Sequence, residues 1–120
     1  MIMSSVQSFK DLVVWQKSMQ LVTLCYKITE QLPKHELYAL GDQVRRSSIS
    51  IPSNIAEGCK RNNRREFIQF CGIASGSAAE LETQLLLVNN LYAEIDTKEA
   101  LDVLGSVQRM LTKLNQQLRK

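Results

Sequence analysis

At 120 residues, 44% apolar and 22% charged, the chain has room for one domain around one core, and its balance excludes a disordered polyelectrolyte and a membrane protein alike. No run approaches the roughly 18 to 20 apolar residues that a membrane span needs, and the opening MIMSSVQSFKD lacks the basic-then-apolar order of a secretory signal, so a cytoplasmic location is expected. The net charge of +3 is unevenly placed: residues 34–65 carry seven basic and three acidic side chains, net +4, and the rest of the chain is near neutral at −1.

Apolar residues recur at helical spacing in four stretches, and strand-like alternation is absent. The spacing predicts a first helix over about 11–32, capped by Ser8 or Asp11 and stopped by Pro33. Leu12, Trp15, Met19, Val22 and Tyr26 line one face of it, and Val14, Leu21, Cys25, Ile28 and Leu32 line the face beside. A second helix is predicted over 36–57, with Leu37, Leu40, Val44, Ile51 and Ile55 as its stripe and Gly58 as the left-handed residue that closes it. Pro52 lies inside this helix and predicts a kink or a break around residues 48–50.

Asn63, with Glu66 three residues later, reads as a variant of the capping box and opens a third helix over 64–92. Its seam of Phe67, Cys71, Ala74, Ala78, Leu81, Leu85, Val88 and Tyr92 alternates steps of four and three, as in a coiled coil. A second seam runs alongside through Phe70, Ile73, Ser77, Glu80, Gln84, Leu87 and Leu91. The fourth helix is predicted over 97–119, capped by Asp96 or Thr97, with Leu101, Leu104, Val107, Leu111, Leu114 and Leu118 buried. Connections this short allow no crossovers, so the expected fold is all-α: one antiparallel up-down-up-down four-helix bundle over residues 1–120.

The residues offer catalysis little foothold. Cys25, Cys59 and Cys71 form no CxxC pair and read as reduced thiols, and the single histidine, His35, lies in a turn beside Pro33. No Glu-x-x-His pair suited to a di-iron site occurs, nor any phosphate-loop, dinucleotide or hydrolase motif. A protein without catalytic activity, metal or cofactor is therefore expected. Two polar sets fall at helical steps: Ser50, Asn54, Glu57 and Arg61 on the second helix, if it continues through Pro52, and Ser77, Glu80 and Gln84 on the third. They read as an interhelical hydrogen-bonded network in which Arg45 or Arg46 neutralises a buried carboxylate; the rival reading makes Glu57 and Glu80 an acid and base in a cleft.

The sharpest signal is Lys60, Arg61, Arg64 and Arg65, four cations within six residues at the start of the third helix. The positive end of a helix disfavours arginine by about 0.3 to 1 kcal/mol and favours anions. Cations and free amides converging there suit a phosphate backbone, with Arg45 and Arg46 extending the patch; the bland alternative is a solvated loop shielded by Glu66. No aromatic residue interleaves with the run, which argues against base stacking.

The stretches FKDLVVWQKSM, QVRRSSISIPSNIAEGCKR and EFIQFCGIASGSAAELETQLLL carry a resemblance. Over about residues 9–92 the chain resembles the 23S ribosomal RNA intervening-sequence proteins, most specifically in its SI-x-x-NIAEG and GS-x-x-EL-x-x-QL elements. Ser47 and Ser48 stand where small apolar residues are usual, and Cys71 where leucine is. The resemblance implies a four-helix bundle that assembles into a ring, typically a pentamer. A relative, the accessory variability protein of diversity-generating retroelements, binds nucleic acid and a reverse transcriptase. By that resemblance, five copies of the +4 segment make a basic ring that binds RNA or DNA. A scaffold that recruits a protein such as a reverse transcriptase is the alternative.

Overall fold

The computed structural model describes residues 8–120 as four helices: α1 (Val13–Glu30), α2 (Leu40–Lys60), α3 (Arg64–Leu91) and α4 (Lys98–Arg119). Ser8 opens the described chain with a reciprocal cap: its Oγ accepts from the Lys10 N–H, and its own N–H donates to the Asp11 carboxylate. These bonds hold a 3-10 turn over Phe9–Asp11, after which Leu12 turns extended (φ −75°, ψ 123°) and delays α1 to Val13.

The second helix also starts later than its apolar spacing predicts. Pro33 leads into a 3-10 turn over Lys34–Glu36, and Ala39 departs from helical geometry (φ −120°, ψ −108°). The turn folds back over the first residues of α2. A Cβ on Gly41 would stand 2.9 Å from the Glu36 carbonyl oxygen, and Arg45 Nη2 donates to the Leu37 carbonyl at 2.6 Å.

Pro52 does not break α2, which is helical from Leu40 to Lys60. The proline removes one backbone hydrogen bond, but it is buried between the fully buried Ile51 and Ile55, and packing of a buried face outweighs local propensity. Gly58 does not close the helix either: no glycine among the described residues has positive φ, and the left-handed residue is Asn62 (φ 54°). Glycine is needed at 58 for close approach, because a Cβ there would lie 2.7 Å from Phe70 Cβ and 3.1 Å from Phe67 Cδ1.

Asn63 caps α3 as the sequence predicts, its Oδ1 accepting from the Glu66 N–H at 3.1 Å. At α4 the two candidate caps divide the work. Asp96 Oδ1 accepts from the Lys98 N–H, while the buried Thr97 hydroxyl donates to Asn89 Oδ1 at 2.6 Å and ties the α3–α4 connection to α3.

Each helix packs closely on the next and α4 on α1, whereas the backbones of the diagonal pairs α1/α3 and α2/α4 stand farther apart. Four helices at the corners of a square, joined by short connections, are antiparallel neighbours in up-down-up-down order. The bundle measures 46 × 23 × 20 Å. Its core holds Val14, Leu21, Cys25 and Ile28 of α1, Val44, Ile51 and Ile55 of α2, the α3 seam from Phe67 to Val88, and Leu104, Val107, Leu111, Leu114 and Leu118 of α4. The other face of α1 is less covered: Met19 and Tyr26 are exposed, and Trp15 and Val22 are half-buried.

Tyr92, which follows α3, fastens the α1–α2 connection to the bundle by donating its hydroxyl to Glu36 Oε2 at 2.6 Å. That bond holds the Glu36 carboxyl below the ordinary carboxylate range. A depressed folded-state value stabilises the fold above the unfolded pKa, and the contribution is lost as pH falls through the folded one. Tyr92→Phe should therefore lower Tm at neutral pH, with the gap to wild type closing in acid; a gap of equal size in thermal melts at both pH values would refute the pairing.

Candidate nucleic-acid interface

The α2–α3 turn is built from the Gly58 contact outward. With Phe67 and Phe70 seated on that glycine, α2 ends at Lys60, Arg61 caps it, Asn62 reverses the chain and Asn63 starts α3. Arg61 is engaged within the protein. Its guanidinium sits 5.1 Å from the Phe70 ring centroid, Nη2 is 3.1 Å from Glu57 Oε2, and Nη1 is 4.0 Å from Glu66 Oε1. Lys60, Arg64 and Arg65 are exposed and make no ion pair with the described residues.

Arg45 and Arg46 do not extend this patch. They lie fifteen and fourteen residues before Lys60 on the same helix, a rise of about 22 Å. Both have local partners, the Leu37 carbonyl for Arg45 and the Asp42 carboxylate, at 3.1 Å, for Arg46. Other cations take their place. The Phe9–Asp11 turn packs on α2, and Leu12, Val13 and Val14 share a cleft with Met110, Lys113, Leu114 and Gln117 of α4. The start of the described chain and the end of α4 therefore meet at the end of the bundle that carries the α2–α3 turn.

Summed along the axis, the charge divides far more sharply than it does along the sequence. The half formed by residues 8–21, 51–77 and 109–120 holds ten basic and three acidic side chains, net +7. The half formed by 22–50 and 78–108 holds five basic and nine acidic, net −4. Lys10, Arg119 and Lys120 also contribute, and since they lie fifty or more residues from the basic run, only the helix order brings them to it.

The polar sets of α2 and α3 meet in part. Ser50 and Ser77 share a hydrogen bond of 2.7 Å, Asn54 Nδ2 donates to the Ser50 carbonyl and hydroxyl, and the buried Ser47 hydroxyl donates to Gln84 Oε1 at 2.6 Å. Ser47 is an addition to the expected network. Glu57 and Glu80 are not in it: both are exposed, so neither requires a buried arginine partner, and Glu57 pairs with Arg61. A shallow cleft of about 220 Å³ is lined by Glu80, Gln84, Ser77, Ser50, Ser47, Gln43 and Arg46, but not by Glu57, so the two carboxylates do not share it.

Burial pushes the Cys25 and Cys71 thiols up to about 12 and raises that of Cys59, which leaves them protonated and unreactive at neutral pH. Among the described residues, no group of three or more histidine, cysteine, aspartate or glutamate side chains is placed to hold a metal ion. No helix among them is long and apolar enough to cross a membrane.

The sequence model of the 23S rRNA-intervening sequence proteins matches residues 10–116. The chain belongs to this family. The intervening-sequence fold also appears in a similar crystal structure from Bacteroides thetaiotaomicron, that of a protein with unknown function from the S23 ribosomal protein family. The two are 28% identical and superimpose with a TM-score of 0.61 over 88% of this chain and 94% of that one. No curated protein matches the chain. Ser47 bonds to Gln84, and Cys71 is buried in the core.

Proposed function

We propose that this intervening-sequence protein is a non-catalytic accessory protein that assembles with copies of itself, five in the family resemblance, and binds RNA or DNA through phosphate contacts at the α2–α3 turn. The observation that carries the reading is the set Lys60, Arg64 and Arg65, exposed and without ion pairs among the described residues, on the half of the bundle with net charge +7. Arg61 shapes the turn by bracing Glu57, Glu66 and Phe70. Arg45 and Arg46 stand apart and have no place in this contact.

Self-association is supported by apolar side chains that the bundle leaves in water, among them Met19 and Tyr26 on α1, Ile49 on α2, and Ile73, Leu86, Leu87 and Leu91 on α3. The same surfaces favour the second reading, a scaffold that recruits a protein such as a reverse transcriptase. An apolar groove of about 340 Å³ between α1 and α2, lined by Trp15, Met19, Val22, Ile49, Pro52, Ser53 and Ala56, is the specific feature behind it.

Two measurements on the purified protein test the proposal. Light scattering should give a mass several times the 13.6 kDa protomer. Fluorescence anisotropy with labelled RNA and DNA should give a Kd that rises steeply with salt, as counterion release requires. A monomer, or a protein indifferent to both nucleic acids, would sink the reading; a protein partner retained through nuclease digestion and high salt would favour the scaffold.

A further inference from the structure

The basic end of the bundle, more than its turn, indicates what kind of nucleic acid fits. We infer that the ligand is a double helix, gripped through its phosphates by the whole end face, an inference that rests on the nucleic-acid reading above. Lys10, before α1, and Arg119 and Lys120, at the end of α4, join Lys60, Arg64 and Arg65 there. All six side chains are exposed, and none forms an ion pair with the described residues. The cations are thus spread over an end whose cross-section is 23 × 20 Å, and are not strung along a groove.

Spread of this kind matches a duplex. A double helix carries one negative charge per about 1.7 Å of axis, so an end about 20 Å wide spans a length of duplex with on the order of a dozen phosphates, and those on the near side belong to two strands. A single strand is held differently, by a groove that follows one backbone and by aromatic side chains on which its bases stack. Among the described residues, no aromatic side chain at this end is exposed. Phe9 and Trp15 pack edge to face with ring centroids 5.3 Å apart, Phe67 is buried, and Phe70 lies beneath the Arg61 guanidinium. Residues 1–7 contain no aromatic side chain, and the exposed Tyr26 and Tyr38 belong to the opposite, acidic half.

That opposite half, net −4, repels the same polyanion and so orients the bundle end-on to it. Contacts made to phosphates carry no sequence information, so the duplex is bound without regard to its base sequence.

The test compares, for the full chain, duplexes of about 20 base pairs of DNA and of RNA, each in two unrelated sequences, with single strands of the same length. Duplex should bind at least tenfold more tightly than single strand, and the two sequences alike; the DNA and RNA arms show which double helix is preferred. Changing Lys10, Arg119 and Lys120 together to Glu, with the turn intact, should weaken duplex binding at least tenfold at about 0.1 M salt. It should also flatten the slope of log K against log salt by about three, with helical content and Tm unchanged. Single strands bound as tightly as duplex would overturn the inference. So would an unaffected triple variant alongside a turn variant that loses binding, a result that leaves the turn reading standing. A wild-type protein that binds no nucleic acid overturns both.

Discussion

Gly58→Leu should unfold the bundle or cost more than about 3 kcal/mol, a large share of the 5 to 15 kcal/mol by which such domains are stable. The first added carbon already stands 2.7 Å from Phe70 Cβ. That atom is fixed to the α3 backbone and cannot swing aside as the tip of a flexible side chain does, so α2 and α3 must separate. Those two helices share the most extensive contact in the bundle. Gly58→Ala should lose less, since the gain of about 1 kcal/mol in helix propensity offsets part of the clash.

Gly72→Ala and Gly76→Ala supply the contrast. A Cβ at either position meets nothing within 4 Å, so each should add about 0.5 to 1 kcal/mol through propensity alone. Urea denaturation midpoints check all four variants. A Gly58→Leu protein as stable as wild type would contradict the α2–α3 packing described above. Destabilisation by Gly72→Ala or Gly76→Ala would mean that the outer face of α3 is covered in solution by another copy.

Reversing Lys60, Arg64 and Arg65 to Glu should lower nucleic-acid affinity at least a hundredfold at about 0.15 M salt and reduce the salt slope by about three. Three attractions to phosphate become three repulsions. The fold should survive, because these side chains are exposed and make no ion pair among the described residues. Arg61 acts differently: Arg61→Ala removes the contact over Phe70 and the ion pairs to Glu57 and Glu66, so it should act on stability more than on binding. Anisotropy titrations, with circular dichroism as the control for folding, separate the two effects. A triple variant that binds as wild type does would remove the turn from the interface.

Much of the fold was legible because apolar spacing records which side of a helix meets its neighbours. The α3 seam from Phe67 to Val88 is buried throughout, as is the α4 stripe from Leu104 to Leu118. Local chemistry read equally well where it is local in fact: Asn63 caps α3 through a bond that spans three residues. Reading failed where a residue's role depends on a helix distant in the chain. Pro52 and Gly58 carry strong local signals, for a kink or a break and for a left-handed stop; α2 is unbroken at the proline, and the glycine has no positive φ. Burial of Ile51 and Ile55 carries the helix through the proline, and the approach of Phe70 gives the glycine a different task. Leu12 and Ala39 ended or delayed helices at positions where the apolar pattern continued, since that pattern does not register backbone φ and ψ.

The candidate site divides in the same way. Sequence alone determined that four helices form, which faces they bury, and that a cluster of cations sits where α2 gives way to α3, because each of these depends on neighbours within a turn or two. Tertiary structure alone decided that α2 continues through Pro52 and so keeps Arg45 and Arg46 about 22 Å from the turn, that Arg61 lies over Phe70, and that Lys10, Arg119 and Lys120 complete the basic end. Charge acts through space and not along the chain, so four antiparallel helices sort a net charge of +3 into halves of +7 and −4 that no window on the sequence contains.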